Sequence, residues 1–351
     1  MIRYLIVGSG YRAEFFGRIA RTFPEIFEAL FLCRSTEKAE WISRKTGIPA
    51  TASVDDAVTF HPDYAVIVVN RPAIAETAEE WIQRGFPVLL ETPAGADLEE
   101  LRRLWKLYCE GARISVCEQY HRYPVVAAGL RRVKEGLIGE PTSLSLSLAH
   151  DYHGFSLIRT MLGVPGESYV LRGETFQSPI IETDSRLSAI YDQETEVLKD
   201  RTMCHITFSS GKRAFYDFSS AQYHSYLRAR NLSLKGTRGE WKDTVMRFLD
   251  EHGEPRQLPL LPEIPEKYRC LDTAGLRDIR KTWSVELGME NVQDEFAIAT
   301  MLLDMKEYID GGESPYRLED ALDDAYFWLL QNEMAEKPWE AISSAKMPWH
   351  S

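Results

Sequence analysis

The first chemistry this chain offers sits at its amino terminus. Gly8-Ser9-Gly10-Tyr11-Arg12-Ala13 is a GxGxxA turn between an apolar, β-rich run, Ile2–Val7, and a helically spaced run, Ala13–Thr22. Gly8 permits a tight turn, and Gly10 lets the backbone approach a pyrophosphate. Ala13 is small enough for the helix to lie against the strand, and the helix N-terminus then faces the phosphates. The expected ligand is a dinucleotide, held by Gly8, Gly10, Tyr11, Arg12 and Ala13. In such a site the second strand ends in an acid when it holds the ribose hydroxyls of NAD. Here it ends in Cys33-Arg34-Ser35-Thr36. Arg34 beside Ser35 suits a 2′-phosphate, so the expected cofactor is NAD(P), with NADP slightly favoured. The competing reading makes Arg34 a solvated loop residue.

A second cluster is His150-Asp151-Tyr152-His153. A histidine titrates in the range needed to take a hydroxyl proton while a hydride leaves an alcohol carbon. His153 is the leading candidate for that role, against the plainer reading of a helix-start histidine bound to local backbone. Asp151 either orients an imidazole or caps a helix over 154–162. His150 and Tyr152 are candidate substrate contacts. Tyr223-His224-Ser225-Tyr226 combines aromatic faces with hydroxyls, which suits a sugar ring or an interface, and Tyr223 is a further candidate contact. The five cysteines, at 33, 109, 117, 204 and 270, form no CxxC and no cluster with histidine. Reduced thiols and no metal are expected.

The elements that must position these groups alternate at first. Apolar runs at Phe27–Cys33, Tyr64–Val69, Pro87–Leu90 and Ile114–Cys117 alternate with helical runs at Thr36–Thr46, Ile74–Arg84 and Asp97–Glu110. Strands apolar on both faces between helices mean a parallel sheet covered on both sides, a Rossmann-type doubly wound α/β domain over residues 1–120. Beyond it, Pro124–Glu135 reads as an amphipathic helix. Ser143–Ala149 alternates strictly, with Leu144, Leu146 and Leu148 on one face, as a half-buried antiparallel strand does. Arg201–Phe208, Arg213–Phe218 and Leu227–Lys235 continue that character. Thr175–Asp200 and Asp250–Lys267 read as long connections, and Val292–Ile309 and Leu318–Glu333 as helices. The expectation is an α+β second domain, 121–351, built on a large open, mostly antiparallel sheet. The helices over 292–335 are expected to return to the first domain.

Composition bounds the partners. The chain has 351 residues, with 41 Lys plus Arg against 53 Asp plus Glu, a net charge of −12. That length allows roughly two domains at the usual 100–200 residues each. The acidic balance argues against nucleic acid and anionic membranes, which both select a basic face. No apolar run nears the roughly 18–20 residues that span a bilayer, and the first residues lack the pattern of a signal peptide. A cytoplasmic location is expected. An alternating sheet with one apolar face left bare would pair with a second copy, so a homodimer or homotetramer through that sheet is expected.

The order of elements, with Glu91-Thr92-Pro93 at a strand end, Gly136–Pro141, His153 followed by Gly163, Gly236-Thr237-Arg238-Gly239-Glu240 and Ser314-Pro315…Leu318-Glu319-Asp320-Ala321, resembles the glucose–fructose oxidoreductase, inositol dehydrogenase and rhizopine-catabolism (Gfo/Idh/MocA) family. The resemblance implies hydride transfer between a nicotinamide and a sugar, cyclitol or related polyol. It implies that Glu91 lies near the nicotinamide ribose. Asn70 and Pro72 fall in the family's cofactor-adjacent loop, and His121 and Arg122 in the segment that lines its cleft. The family's lysine after this glutamate is Thr92 here, which can hydrogen-bond a hydroxyl but cannot act as a base. The acid four residues before the family's histidine is Ala149 here. Two alternatives remain beside the dehydrogenase reading. One is redox-assisted glycoside cleavage with tightly bound cofactor, and the other is a non-catalytic dinucleotide or sugar sensor.

Overall fold

The structure, a computed structural model, describes residues 1–183, 195–223, 227–271 and 293–350. From the amino terminus the elements are β1 (Ile2–Val7), α1 (Tyr11–Thr22), β2 (Phe27–Leu32), α2 (Thr36–Thr46), β3 (Ala50–Thr51), α3 (Val54–Thr59) and β4 (Tyr64–Ile67). They continue with α4 (Ile74–Gln83), β5 (Val88–Leu90), α5 (Leu98–Cys109) and β6 (Ile114–Val116). The six strands form one parallel sheet in the order β3-β2-β1-β4-β5-β6. Strand order reverses between β1 and β4, and ligands of open α/β sheets bind at that switch point, beyond the strands' carboxyl ends. Gly8 follows the end of β1 there. Local sequence explains the helix ends. Ser35 Oγ accepts from Lys38 N, Gly47 closes α2 at φ 76°, and Asp97 caps α5 by accepting from Glu100 N. The two-residue β3 and six-residue α3 went unread in the sequence because neither is long enough to show a period.

The next stretch contains α6 (Pro124–Lys134), β7 (Pro141–Ser147), α7 (Asp151–Leu162), β8 (Tyr169–Ile181), β9 (Glu196–Phe208) and β10 (Arg213–Ser219). β11 (Asn231–Gly236), β12 (Gly239–Lys242), β13 (Val245–Leu249) and β14 (Pro255–Pro259) follow. With a two-residue β15 (Ile342–Ser343), they make a nine-stranded sheet ordered β14-β13-β12-β11-β7-β10-β9-β8-β15. Only the β7–β10 pair is parallel. Leu144, Leu146 and Leu148 are buried on one face, and α7 packs against β7. Trp241 on β12 is fully buried against α6 at Gly129, where a Cβ would stand 2.3 Å from the indole.

Three expectations are corrected here. Thr175–Asp200 is mostly a hairpin: β8 and β9 pair from Thr175–Thr202 out to Ile181–Glu196. Its outer part is largely solvent-exposed, so no apolar alternation marked it (184–194 lie outside the described residues). Asp250–Lys267 contains β14, an edge strand whose prolines stand at its two ends, the positions where a strand tolerates them. The bare face of the sheet is not uniformly apolar. Ser233, Ser145, Phe215, His205 and Arg172 lie in register across five strands, and only Phe215 among them is a large hydrophobic.

The last helices are α8 (Gln293–Ile309) and α9 (Leu318–Glu336); Val292 lies outside the described residues. The chain forms two compact units. Among the described residues the first holds 1–119, 266–271 and 294–326, and the second 120–183, 195–223, 227–265, 293 and 327–350. Within the first, Tyr64 OH on β4 donates to Leu302 O of α8, and Ser115 of β6 hydrogen-bonds the backbone of Tyr316. No helix among the described residues is long and apolar enough to cross a membrane.

Candidate functional site

The two glycines of the first turn differ in what requires them. Gly8 has φ 132°, and a Cβ there would lie 2.1 Å from the Val68 carbonyl oxygen. The fold itself therefore demands glycine at position 8. Gly10 has an ordinary φ of −81° and caps α1 without a side-chain hydrogen bond, and a Cβ there would meet nothing within 4 Å. Neither a close contact nor a positive φ requires glycine at this N-cap, and its open space leaves room for a phosphate at the helix N-terminus. Ala13 is buried under the turn, and Tyr11 sets its ring edge-on to Phe15 at 5.2 Å.

Behind the turn lies a buried charge network. Arg12 Nε donates to Glu91 Oε1 at 2.6 Å, and Nη1 donates to Asp294 Oδ2 at 3.5 Å. Gln119 Nε2 donates to the other Asp294 oxygen at 3.4 Å. Arg12 also lies 4.6 Å over the Phe15 ring. Burial opposes the Arg12 charge, but the Glu91 and Asp294 carboxylates more than offset it, and the guanidinium stays a cation. Burial pushes the Glu91 carboxyl above the ordinary range; Arg12 opposes the rise, while Asp294 and Glu118 add to it. Arg12 Nη2, Glu91 Oε2 and Gln119 Oε1 are buried without a hydrogen-bond partner among the described residues. Each such atom typically costs about 1–3 kcal/mol. Sequence reading placed Arg12 and Glu91 near the cofactor but missed Gln119 and Asp294. Asp294 and Glu295 looked like the ordinary acidic first turn of a helix. Thr92 is half-buried, follows Glu91 directly, and its hydroxyl makes no hydrogen bond among the described residues.

Two other candidates have local roles. The Ser35 hydroxyl is taken up as the N-cap of α2, while Arg34 is exposed with no ion pair among the described residues. Asn70 and Pro72 are exposed, around a short 3-10 turn at Arg71–Ala73.

The second unit gathers a histidine–tyrosine cluster at the start of α7. The Tyr223 hydroxyl accepts from His150 N at 3.0 Å and from Tyr120 OH at 3.0 Å, and it lies 2.6 Å from His150 Nδ1. The 2.6 Å contact carries one hydrogen, from Tyr223 to Nδ1 in one ring tautomer and from Nδ1 to Tyr223 in the other, and His150 Nε2 faces Tyr152 OH at 3.2 Å. Burial of its hydroxyl holds the Tyr223 phenol well above the ordinary range, so it is a neutral donor at pH 7. His153 is buried, its ring 4.5 Å from Tyr152, 4.8 Å from Tyr120 and 4.9 Å from His150. The half-buried His150 holds both ring nitrogens against hydroxyls.

Asp151 neither caps α7 nor orients an imidazole. Its N–H donates to Tyr216 OH at φ 43°, and its Oδ1 accepts from Gln331 Nε2 at 3.0 Å. A residue in the left-handed region cannot present its carboxylate as a regular N-cap does. His121 Nε2 faces Ser156 Oγ at 3.1 Å, and Arg122 is half-buried beside it in sequence. His224, Ser225 and Tyr226 lie outside the described residues. Among the described residues no three His, Cys, Asp or Glu side chains group as metal ligands.

Residues 2–117 match the Gfo/Idh/MocA oxidoreductase family, described as an NAD-binding Rossmann fold. No curated protein matches the chain in sequence. Several solved structures share the fold over nearly the whole chain. A levoglucosan dehydrogenase in complex with NADH and levoglucosan is 16% identical, with a TM-score of 0.70 over 97% of this chain and 99% of the other. An NAD-binding oxidoreductase from Klebsiella pneumoniae is 15% identical, with a TM-score of 0.70 over 98% and 100%. A putative NADPH-dependent oxidoreductase from Desulfitobacterium hafniense is 14% identical, with a TM-score of 0.68 over 97% of each chain.

Proposed function

With its first domain a member of the Gfo/Idh/MocA oxidoreductase family, we propose that the chain moves a hydride between NAD(P) and a sugar, cyclitol or related polyol. The observation that carries the reading is Gly10, which leaves open space at the N-terminus of α1, at the switch point of the parallel sheet, where a phosphate would approach the helix. A bound nicotinamide would supply the hydride acceptor, and everything else falls to side chains. Gly8 and Gly10 hold the turn open for the pyrophosphate, and Glu91 and Arg12 stand behind it. Arg34, exposed beside the β2 tip, favours the 2′-phosphate of NADP.

The substrate's hydroxyl proton needs an acceptor, and Thr92 is none. We assign it to His150 rather than His153. A hydroxyl set against Tyr152 passes its proton through that phenol to His150 Nε2 in the tautomer that carries the ring hydrogen on Nδ1. Nδ1–H then donates to Tyr223, which donates to Tyr120 in turn. General acid–base help of this kind contributes about 10²–10⁴-fold. His153 supports the His150 ring from behind. The shared fold of a levoglucosan dehydrogenase supports a carbohydrate-like substrate, and pairing of two or four copies is proposed on the breadth of the nine-stranded sheet, not on an apolar face.

The test is a panel of sugars and cyclitols offered to dialysed protein with NAD and NADP, following nicotinamide absorbance and product release together. Reduced cofactor with one polyol class supports the reading. Glycoside cleavage without net reduction would replace it with transient oxidation. Binding of cofactor and sugar without either would leave a sensor. Light scattering at the mass of one 40.2 kDa chain would remove the oligomer.

A further inference from the structure

Three unsatisfied atoms in the first unit belong to one connected set. Glu91 and Arg12 are bonded to each other, and Arg12 and Gln119 share the two oxygens of Asp294. Those inner bonds fix the character of what is left. Asp294 only accepts when ionised, so Gln119 turns its NH₂ to that carboxylate and leaves its oxygen outward as an acceptor. Glu91 Oε2 is a second free acceptor, and Arg12 Nη2 is a free donor. Glu91 and Gln119 are 7% and 3% exposed, so bulk water satisfies neither. Their placement is specific as well. Glu91 directly follows β5, Gln119 comes three residues after the adjacent parallel β6, and Arg12 is two residues past Gly10. All three therefore lie beyond the carboxyl ends of parallel strands, where such sheets bind ligands.

We infer that Arg12, Glu91 and Gln119 form a subsite for a ligand group that presents two N–H or O–H donors beside one acceptor. This rests on the dinucleotide reading above. Within a nicotinamide dinucleotide that pattern is presented by the primary carboxamide, with two N–H and one C=O, by the vicinal ribose diols, and by the adenine amino group beside its ring nitrogens, whose nucleoside such folds hold on the β2 side rather than beyond β5 and β6. The carboxamide is the assignment made here. Its planar NH₂ donates to Glu91 Oε2 and Gln119 Oε1 while its oxygen accepts from Arg12 Nη2. A site with two acceptors and one donor turned inward rejects an analogue that lacks the donors, because its buried acceptors are then left unpaired.

Calorimetry with the intact protein tests this with NAD and with its 3-acetylpyridine analogue, in which a methyl ketone replaces the carboxamide. The analogue keeps the carbonyl and loses both N–H groups. The expected result is analogue binding weaker by roughly ten- to a hundredfold, each 1.4 kcal/mol being tenfold. Gln119→Met should weaken NAD and leave the analogue nearly unchanged, narrowing the gap. The wild-type comparison stands even if that variant fails to fold. Equal wild-type affinities, with Gln119→Met still weakening both ligands, would keep the subsite and move it to the ribose diol. Equal affinities that Gln119→Met leaves unchanged would show that these atoms hold only water, and would overturn the inference while the dinucleotide reading stands. Failure of both ligands to bind would overturn that reading itself.

Discussion

The two polar clusters of this chain differ in whether they are complete. In the second unit the His150 ring is closed off by protein, with Tyr223 on one nitrogen and Tyr152 on the other, and Tyr120 adds a further hydroxyl. In the first unit the Arg12–Glu91–Asp294–Gln119 network ends in one donor and two acceptors that nothing among the described residues meets. A closed cluster can pass a proton along fixed bonds, since each hydroxyl already has its neighbour. An open one is built to be completed by something else. The difference separates a group that does chemistry from a group that binds, and each should respond to mutation in its own way.

The largest expected effect is on the closed cluster. His150→Ala should lower kcat by about 10²–10⁴-fold while leaving cofactor affinity nearly unchanged. Tyr223→Phe should give a smaller loss, because it removes the oxygen that accepts from Nδ1–H when Nε2 takes the proton. His153→Ala should act chiefly on stability, by about 1–3 kcal/mol for a buried ring left as a cavity, and a melting curve reads this. If His153→Ala abolishes turnover and His150→Ala spares it, the two roles are exchanged.

A middle-sized effect sharpens the open cluster. Because burial raises the Glu91 carboxyl, folding opposes its ionisation. Its contribution to stability is present when it is protonated, below its unfolded value, and is lost as pH rises through the raised folded value. The wild type should therefore lose stability relative to Glu91→Gln between the ordinary carboxylate range and the raised one, in melting curves taken from pH 4 upward. Parallel curves for the two proteins would show that Glu91 ionises as freely as in the unfolded chain. The smallest effect is at the β2 tip. Arg34→Ala should weaken NADP about three- to tenfold and spare NAD, since a solvent-exposed charge pair contributes only about 0–1 kcal/mol beyond its hydrogen bonds. Tighter binding of NAD than NADP by the wild type would refute the cofactor preference.

Much of this was legible in the sequence, for identifiable reasons. The GxGxxA turn lies between a strand and a helix that are each long enough to show a period, so β1, Gly8, Gly10 and α1 could be placed closely. Ser35 and Asp97 each declare a helix start by their residue type. The outer halves of β8 and β9 were hidden because they are solvated on most sides, and β14 because prolines imitate a loop. The binding network was the least visible. Gln119 is one polar residue after a short buried strand, and Asp294 stands more than 170 residues from it in a common helix-start acid pair. Nothing local marks two such residues as partners; only the fold brings them to one carboxylate. Asp151 shows the opposite error. A capping residue type was in the right place, but a left-handed backbone and Gln331 took the carboxylate elsewhere.

The most direct test of the account is calorimetry of NADH binding to the wild type and to Gly10→Asp. An aspartate fits this position without strain: its φ is ordinary, its Cβ meets open space, and aspartate is a favoured N-cap for a helix that has no side-chain cap. The variant should therefore melt at or slightly above the wild-type temperature. Its carboxylate would nonetheless stand where the pyrophosphate must lie, so the prediction is clear NADH binding by the wild type and none by the folded variant. Equal affinity in the two folded proteins, or no binding by the wild type, would contradict the claim that this turn holds a dinucleotide.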